Sequence, residues 1–155
     1  MMAVNTRIFG YMEIEDEKII HFENGIIGFP KLKNFALIQD DEDKENPSTI
    51  SWLQSMEEPD LALPVMDPLT IEPLYNPIIE DEFLTPLGEM SQENTFVLVT
   101  VTVPTDIKEI AVNLKAPIVI NTSTNKAGQL IVENDYPVKH KIYDLLKNND
   151  ERAGE

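Results

Sequence analysis

The chain has no cysteine, which removes disulfides, thiolate metal sites and thiol nucleophiles from consideration. It has little positive charge: 12 Lys and Arg stand against 28 Asp and Glu, a formal net charge of −16. A surface so acidic repels nucleic acid and anionic membrane and attracts basic partners at long range, although solubility alone also accounts for it. There are two histidines, His21 and His140, and neither has a second histidine at ligand spacing. Phosphate-binding GxxxxGK and GxGxxG patterns are absent, and no serine sits in a nucleophile elbow. The run Asp40-Asp41-Glu42-Asp43 lacks the glycine and the terminal glutamate of a calcium loop. The many carboxylates leave room for a glycosidase-type pair, but nothing singles one out. The longest apolar run, residues 96–103, is broken by threonines and falls far short of the roughly 20 residues of a membrane helix. Residues 1–7 have no apolar core of signal-peptide length. These absences predict a soluble cytoplasmic protein in which no catalytic residue, metal site or cofactor site is singled out.

What is present points to β-structure. With 155 residues the chain is long enough for one domain with a real core. We expect that domain over 1–149, with 150–155 a frayed tail. The clearest strand is 95–103, where β-branched residues occupy nearly every position. Phe96, Leu98, Thr100 and Thr102 share one face, and Val97, Val99, Val101 and Val103 the other. Shorter strands are predicted within 6–14, 18–22, 35–38, 49–55, 61–66, 110–114, 118–121 and 129–133. An acidic turn at 15–17 suggests a hairpin joining the first two, and residues 125–128 suggest a second hairpin. The charged run 40–45 is read as an exposed loop. Trp52, the only tryptophan, is read as a core anchor. Proline spacing between 67 and 86 forbids a long helix. It permits one turn capped by Asp67-Pro68 and a short helix over 80–87 with Phe83, Leu84 and Leu87 inward; one or two helical turns are also predicted over 143–147. The whole reads as all-β: a small antiparallel β-barrel or barrel-like sandwich with little helix.

The charges are unevenly placed. Residues 46–107 contain no Lys or Arg but eleven acids, whereas ordinary solvated surfaces mix signs. That asymmetry favours docking of something basic.

The segments also occur in a telling order. They are Phe22-Glu23-Asn24-Gly25-Ile26-Ile27-Gly28-Phe29-Pro30 with Phe35-Ala36-Leu37; Trp52-Leu53-Gln54-Ser55 with Pro59 and Asp67-Pro68; Val101-Thr102-Val103-Pro104; Val112-Asn113-Leu114-Lys115-Ala116-Pro117-Ile118-Val119-Ile120-Asn121; and Gly128-Gln129-Leu130-Ile131-Val132 with Tyr136-Pro137-Val138. Together they span nearly the whole chain, which resembles the bacterial flagellar assembly factor family, FliW. The resemblance implies a β-barrel-like protein without enzymatic activity that binds flagellin in the cytoplasm. It also implies binding to the RNA-binding translational repressor CsrA, which free flagellin displaces. No direct nucleic-acid or membrane partner is implied. A flagellin chaperone without a repressor role, and less readily a carboxylate-based hydrolase, are the alternatives. The acids expected to face a partner are Glu57, Glu58, Asp60, Glu80, Asp81 and Glu82. Beside an RNA-binding surface they would lower RNA affinity by like-charge repulsion. Gly25, Gly28, Phe29, Trp52, Asn113 and Pro117 are expected to be scaffold. In that scaffold the glycines serve turns, Phe22, Phe29, Phe35, Leu98 and Val119 fill the core, and Asn113 and Asn121 bond backbone at strand ends. Whether the bond before Pro117 is cis stays open.

Overall fold

The computed structural model describes residues 2–6, 10–39 and 50–144. The acidic run 40–45, residue 49, the helical turns beyond 144 and the tail 150–155 lie outside the described residues. The strands are β1 (Met2–Thr6), β2 (Gly10–Ile14), β3 (Ile19–Phe22), β4 (Asn34–Gln39), β5 (Ser51–Ser55), β6 (Ala62–Met66), β7 (Thr95–Thr102), β8 (Ala111–Val112), β9 (Ile118–Asn121), β10 (Lys126–Gln129) and β11 (His140–Lys141). One short helix, α1 (Asp81–Leu84), runs into a 3-10 turn at Thr85–Leu87.

Strands β3 to β7, β9 and β10 close a seven-stranded barrel. Each neighbouring pair is antiparallel except the seam, where β10 lies parallel to β3 with Lys126 opposite His21 and Ala127 opposite Phe22. Parity explains the exception: an odd number of strands that alternate in direction must meet once with the same direction. The strongest predicted strand is the one on which the barrel closes. Residues 95–98 of β7 pair with β9, residues 99 and 100 with β6 on the other side, and residues 101 and 102 with β8.

The alternation of β7 serves two cores. Leu98 points into the barrel with Phe22, Phe35, Leu53, Val65 and Ile118, where the Phe22 and Phe35 rings meet edge-on at 5.3 Å. Val99 and Val101 point outward, yet they are buried against Ile71, Tyr75, Val112, Leu114 and Ile142. Thus a strand apolar on both faces is covered on both. The β1–β2 ribbon covers Ala36 of β4 with Val4 and Ile14.

Several expectations are corrected. The hairpin predicted across 15–17 does not form. The ribbon is β1 with β2, and a 3-10 turn at Asp16–Lys18 then sends β3 into the barrel. The burial requirements of the strands explain this, since Ile20 and Phe22 belong inside the barrel while Ile14 covers its outside. The second hairpin turns earlier than predicted: Asn125 takes a positive φ of 56° and residues 126–129 are already β10. Residues 130–133 fall outside any strand, and β8 is shorter than the predicted 110–114. Trp52 is only half-buried, and its neighbour Leu53 fills the barrel instead. The Asp67-Pro68 start is as predicted, with the Asp67 carboxylate accepting from Leu69 N at 2.9 Å. Of the predicted inward residues Phe83, Leu84 and Leu87, only Leu87 is buried; Phe83 and Leu84 are half-buried.

Candidate functional site

Residues 25–30 form a protruding knuckle next to the parallel seam. Gly25 has φ +67°, and a Cβ there would meet the Phe29 carbonyl and lie 2.7 Å from Pro30 Cα. No other residue fits. Gly28 has φ +92°, the backbone a tight turn needs at its third position. Ile26 N donates to Phe29 O and Phe29 N to Ile26 O, at 3.3 and 2.7 Å. The turn drives Ile26 into the barrel core and leaves Ile27 and Phe29 facing solvent. Phe29, expected in the core, is corrected: it is 39% exposed, while its bridge partner Ile26 takes the core position.

The knuckle is fixed from beneath. Gln129 Oε1 accepts from Ile27 N at 2.9 Å, and its Nε2 donates to Ala116 O at 3.0 Å. One amide thus joins the knuckle to the 113–121 segment. Asn113 Oδ1 accepts from the backbone N–H groups of Lys115 and Ala116, at 3.0 and 3.2 Å. Asn121 is fully buried. Its Nδ2 donates to Leu87 O and Glu89 O, and its Oδ1 accepts from Ser123 N and Thr124 N. Both asparagines thus bond backbone as expected. No cis peptide bond occurs among the described residues, so the bond before Pro117 is trans.

Beyond β10, Leu130 N and Val132 N donate to Pro117 O and Lys115 O. This continued pairing buries Val132 and turns Ile131 outward, 65% exposed. Ile131, Ile27, Phe29 and Val138 line a depression of about 440 Å³. A neighbouring depression of about 320 Å³ is lined by Ile131, Phe83, Ile78 and Glu80. A third, of about 580 Å³, lies between Phe29, Leu32 and Leu61, with Glu58 and Asp60 at its edge. Because these share Ile131 and Phe29, an apolar belt runs without a break from Leu61 to Ile78.

The predicted acids divide. Glu57 is committed to structure: its Oε1 accepts from Lys33 N and Asn34 N, at 2.6 and 2.7 Å, tying the β5–β6 turn to the start of β4. Glu58, Asp60 and Glu80 border the belt. Glu82 lines a further depression of about 360 Å³ together with Gly28, Ile27 and Phe83. Asp81 is exposed in the first turn of α1. Trp52 lines none of these depressions, whereas Gly25, Gly28, Phe29 and Asn113 all do. The belt itself was missed in the sequence. Its signal was the Ile26-Ile27-Gly28-Phe29 run, because consecutive apolar residues within a turn must expose some of their number.

The arrangement suits docking. Among the described residues no group of three or more His, Cys, Asp or Glu is placed to hold a metal ion, and no helix is long and apolar enough to cross a membrane. The resolved shifts in proton affinity lie elsewhere. Burial, with a smaller contribution from Tyr136, raises Tyr75, whose hydroxyl donates to Leu114 O at 2.6 Å. On the surface, Glu109 is lowered and Lys141 raised by their mutual hydrogen bond and ion pair at 2.8 Å.

Comparison with known proteins gives a consistent result. The model of the family described as FliW protein matches residues 3–142. The chain is 45% identical over 148 residues to the flagellar assembly factor FliW of Lachnoclostridium phytofermentans, covering 95% of this chain and 94% of that one. It is 46% identical over 151 residues to that of Lachnospira eligens, covering 96% and 99%. A crystal structure of the flagellar assembly factor FliW superimposes with a TM-score of 0.83 at 30% identity, covering 91% of this chain and 96% of the other.

Proposed function

The chain belongs to the FliW family, and from that membership we propose that it is a non-enzymatic, cytoplasmic flagellar assembly factor that binds flagellin and antagonises the RNA-binding repressor CsrA, the two partners excluding one another at the apolar belt. The observation that carries this reading is the family match across residues 3–142. We take residues 1–149 to act as one domain.

Physical chemistry supports exchange on this surface. Binding energy concentrates in a few desolvated apolar anchors ringed by polar groups. Ile27, Phe29 and Ile131 supply anchors on a backbone already fixed by Gln129, so little ordering cost remains. The ring carries Glu58, Asp60, Glu80 and Glu82, which outnumber the two lysines, Lys31 and Lys115, that also line it. A repressor that binds RNA must present basic residues to phosphate. An acidic protein docked beside that surface lowers RNA affinity by repulsion over distances shorter than the roughly 8 Å screening length of physiological salt.

The test is a calorimetric titration with CsrA at two salt concentrations, repeated after saturation with flagellin. Repressor binding that weakens at high salt and vanishes on saturation is expected. Simultaneous binding of both partners overturns the exchange. Flagellin binding with no repressor binding reduces the protein to a flagellin chaperone. Replacing Glu58, Asp60, Glu80 and Glu82 by glutamine should restore RNA binding by the repressor; unchanged antagonism would sink the electrostatic account.

A further inference from the structure

A second apolar feature lies outside the belt. Between β6 and α1 the chain makes a proline-rich loop, residues 67–80, containing Pro68, Pro73 and Pro77. Its backbone is held by groups distant in sequence. Asn76 N donates to Tyr136 Oη at 3.0 Å and Ile78 N to Asn134 Oδ1 at 2.9 Å. The Tyr75 hydroxyl is anchored on Leu114 O, and its ring meets that of Tyr136 edge-on at 4.7 Å. Ile71 and Tyr75 are buried beneath. On this fixed backbone Leu74 is 87% exposed and Leu69 52% exposed. A loop that buries Ile71 and Tyr75 has no packing need for two leucines facing water. Its carboxylates are Asp67, Glu72 and Glu80, and no Lys or Arg lies anywhere in 46–107.

We infer that this loop is a preformed docking knob, Leu74 and Leu69 entering an apolar pocket ringed by Lys or Arg on the RNA-binding repressor. The inference rests on the proposed function and deepens it by giving the repressor a contact that flagellin does not share. Charge complementarity selects the occupant: the knob carries only acids, and a phosphate-binding protein supplies the basic rim. Rigidity supports it, since prolines and tertiary hydrogen bonds settle the loop's conformation before binding. Ile78, four residues after Leu74 in the chain, lines the end of the belt; in this assignment the repressor's footprint extends from the belt onto the knob, while flagellin's stays within the belt.

The experiment titrates CsrA and, separately, flagellin into the full chain and into its Leu74→Ser, Leu69→Ser/Leu74→Ser and Glu72→Gln variants. Both leucines are largely outside the core, so melting temperatures should stay at the parent value and confirm folding. Leu74→Ser should weaken the repressor by roughly tenfold, as loss of a buried anchor does, and leave flagellin within about twofold. Glu72→Gln should flatten the salt dependence of repressor binding. The inference is overturned if folded Leu74→Ser and the double variant bind the repressor as tightly as the parent, or if both partners weaken equally. If the unmodified chain binds no repressor at all, the proposed function falls and this inference falls with it.

Discussion

From 113 to 121 every residue except Asn113 and Lys115 is buried, and both asparagine side chains are used up on backbone groups. From 67 to 82 the backbone is also tied down, yet Leu69, Leu74 and Ile78 face water among carboxylates. The two stretches are similarly constrained and differ in where their apolar side chains go. In the first, a satisfied backbone serves the core. In the second, it holds apolar groups in solvent, where they add nothing to folding and are ready for a partner. Order alone therefore does not separate scaffold from docking surface; the destination of the side chains does.

Substitutions can break this contrast. The largest effect is expected from Gly25→Ala. A positive φ and collision with the Phe29 carbonyl should cost roughly 3 kcal/mol in urea unfolding and displace the knuckle. Asn121→Ala follows. It removes the acceptor of Ser123 N and Thr124 N and one of two donors to each of Leu87 O and Glu89 O, which keep the Thr124 hydroxyl and the Asn94 amide, and should cost about 2 kcal/mol in the same measurement. Ile131→Ser/Val138→Ser tests the opposite pole: stability should stay within about 0.5 kcal/mol of the parent, while calorimetric affinity for flagellin falls. A large loss of stability would show that the belt is core after all.

The smallest effect belongs to the Glu109–Lys141 pair. Glu109 is lowered from its ordinary 4.5, so its stabilisation is present above that value and lost as pH falls through the folded-state pKa. Lys141 is raised from its ordinary 10.5, so its stabilisation is present below that value and lost as pH rises through the folded-state pKa. Glu109→Gln should lower the melting temperature slightly between these limits and converge with the parent in acid. An equal difference at all pH values would refute the ion pair.

The barrel was legible because β7 alternates on both faces and because turns at Gly25, Gly28 and Asp67-Pro68 have unambiguous local chemistry. The two asparagines were legible for the same local reason. Strand partnership was less so: residues 10–14 and 19–22 are both apolar and adjacent, and only the barrel decides that one covers its outside while the other fills it. Trp52 misled because size suggests burial, whereas position on β5 assigns the interior to Leu53. Glu57 misled because a carboxylate that accepts two backbone N–H groups looks, in sequence, like any other acid. The belt was the least legible. It joins residues 27, 29, 78, 131 and 138, which only the closed barrel brings together.

That closure has a kinetic side. The parallel seam pairs His21 and Phe22 with Lys126 and Ala127, residues at opposite ends of the barrel-forming chain. Contacts so distant carry a high loop-closure cost and slow folding. During synthesis, β3 must wait with one edge unpaired until β10 has left the ribosome. The knuckle follows β3 directly, and its Ile27 N donates to the side chain of Gln129, at the end of β10. A nascent or truncated chain thus has no finished belt, and competence to bind arrives only with barrel closure.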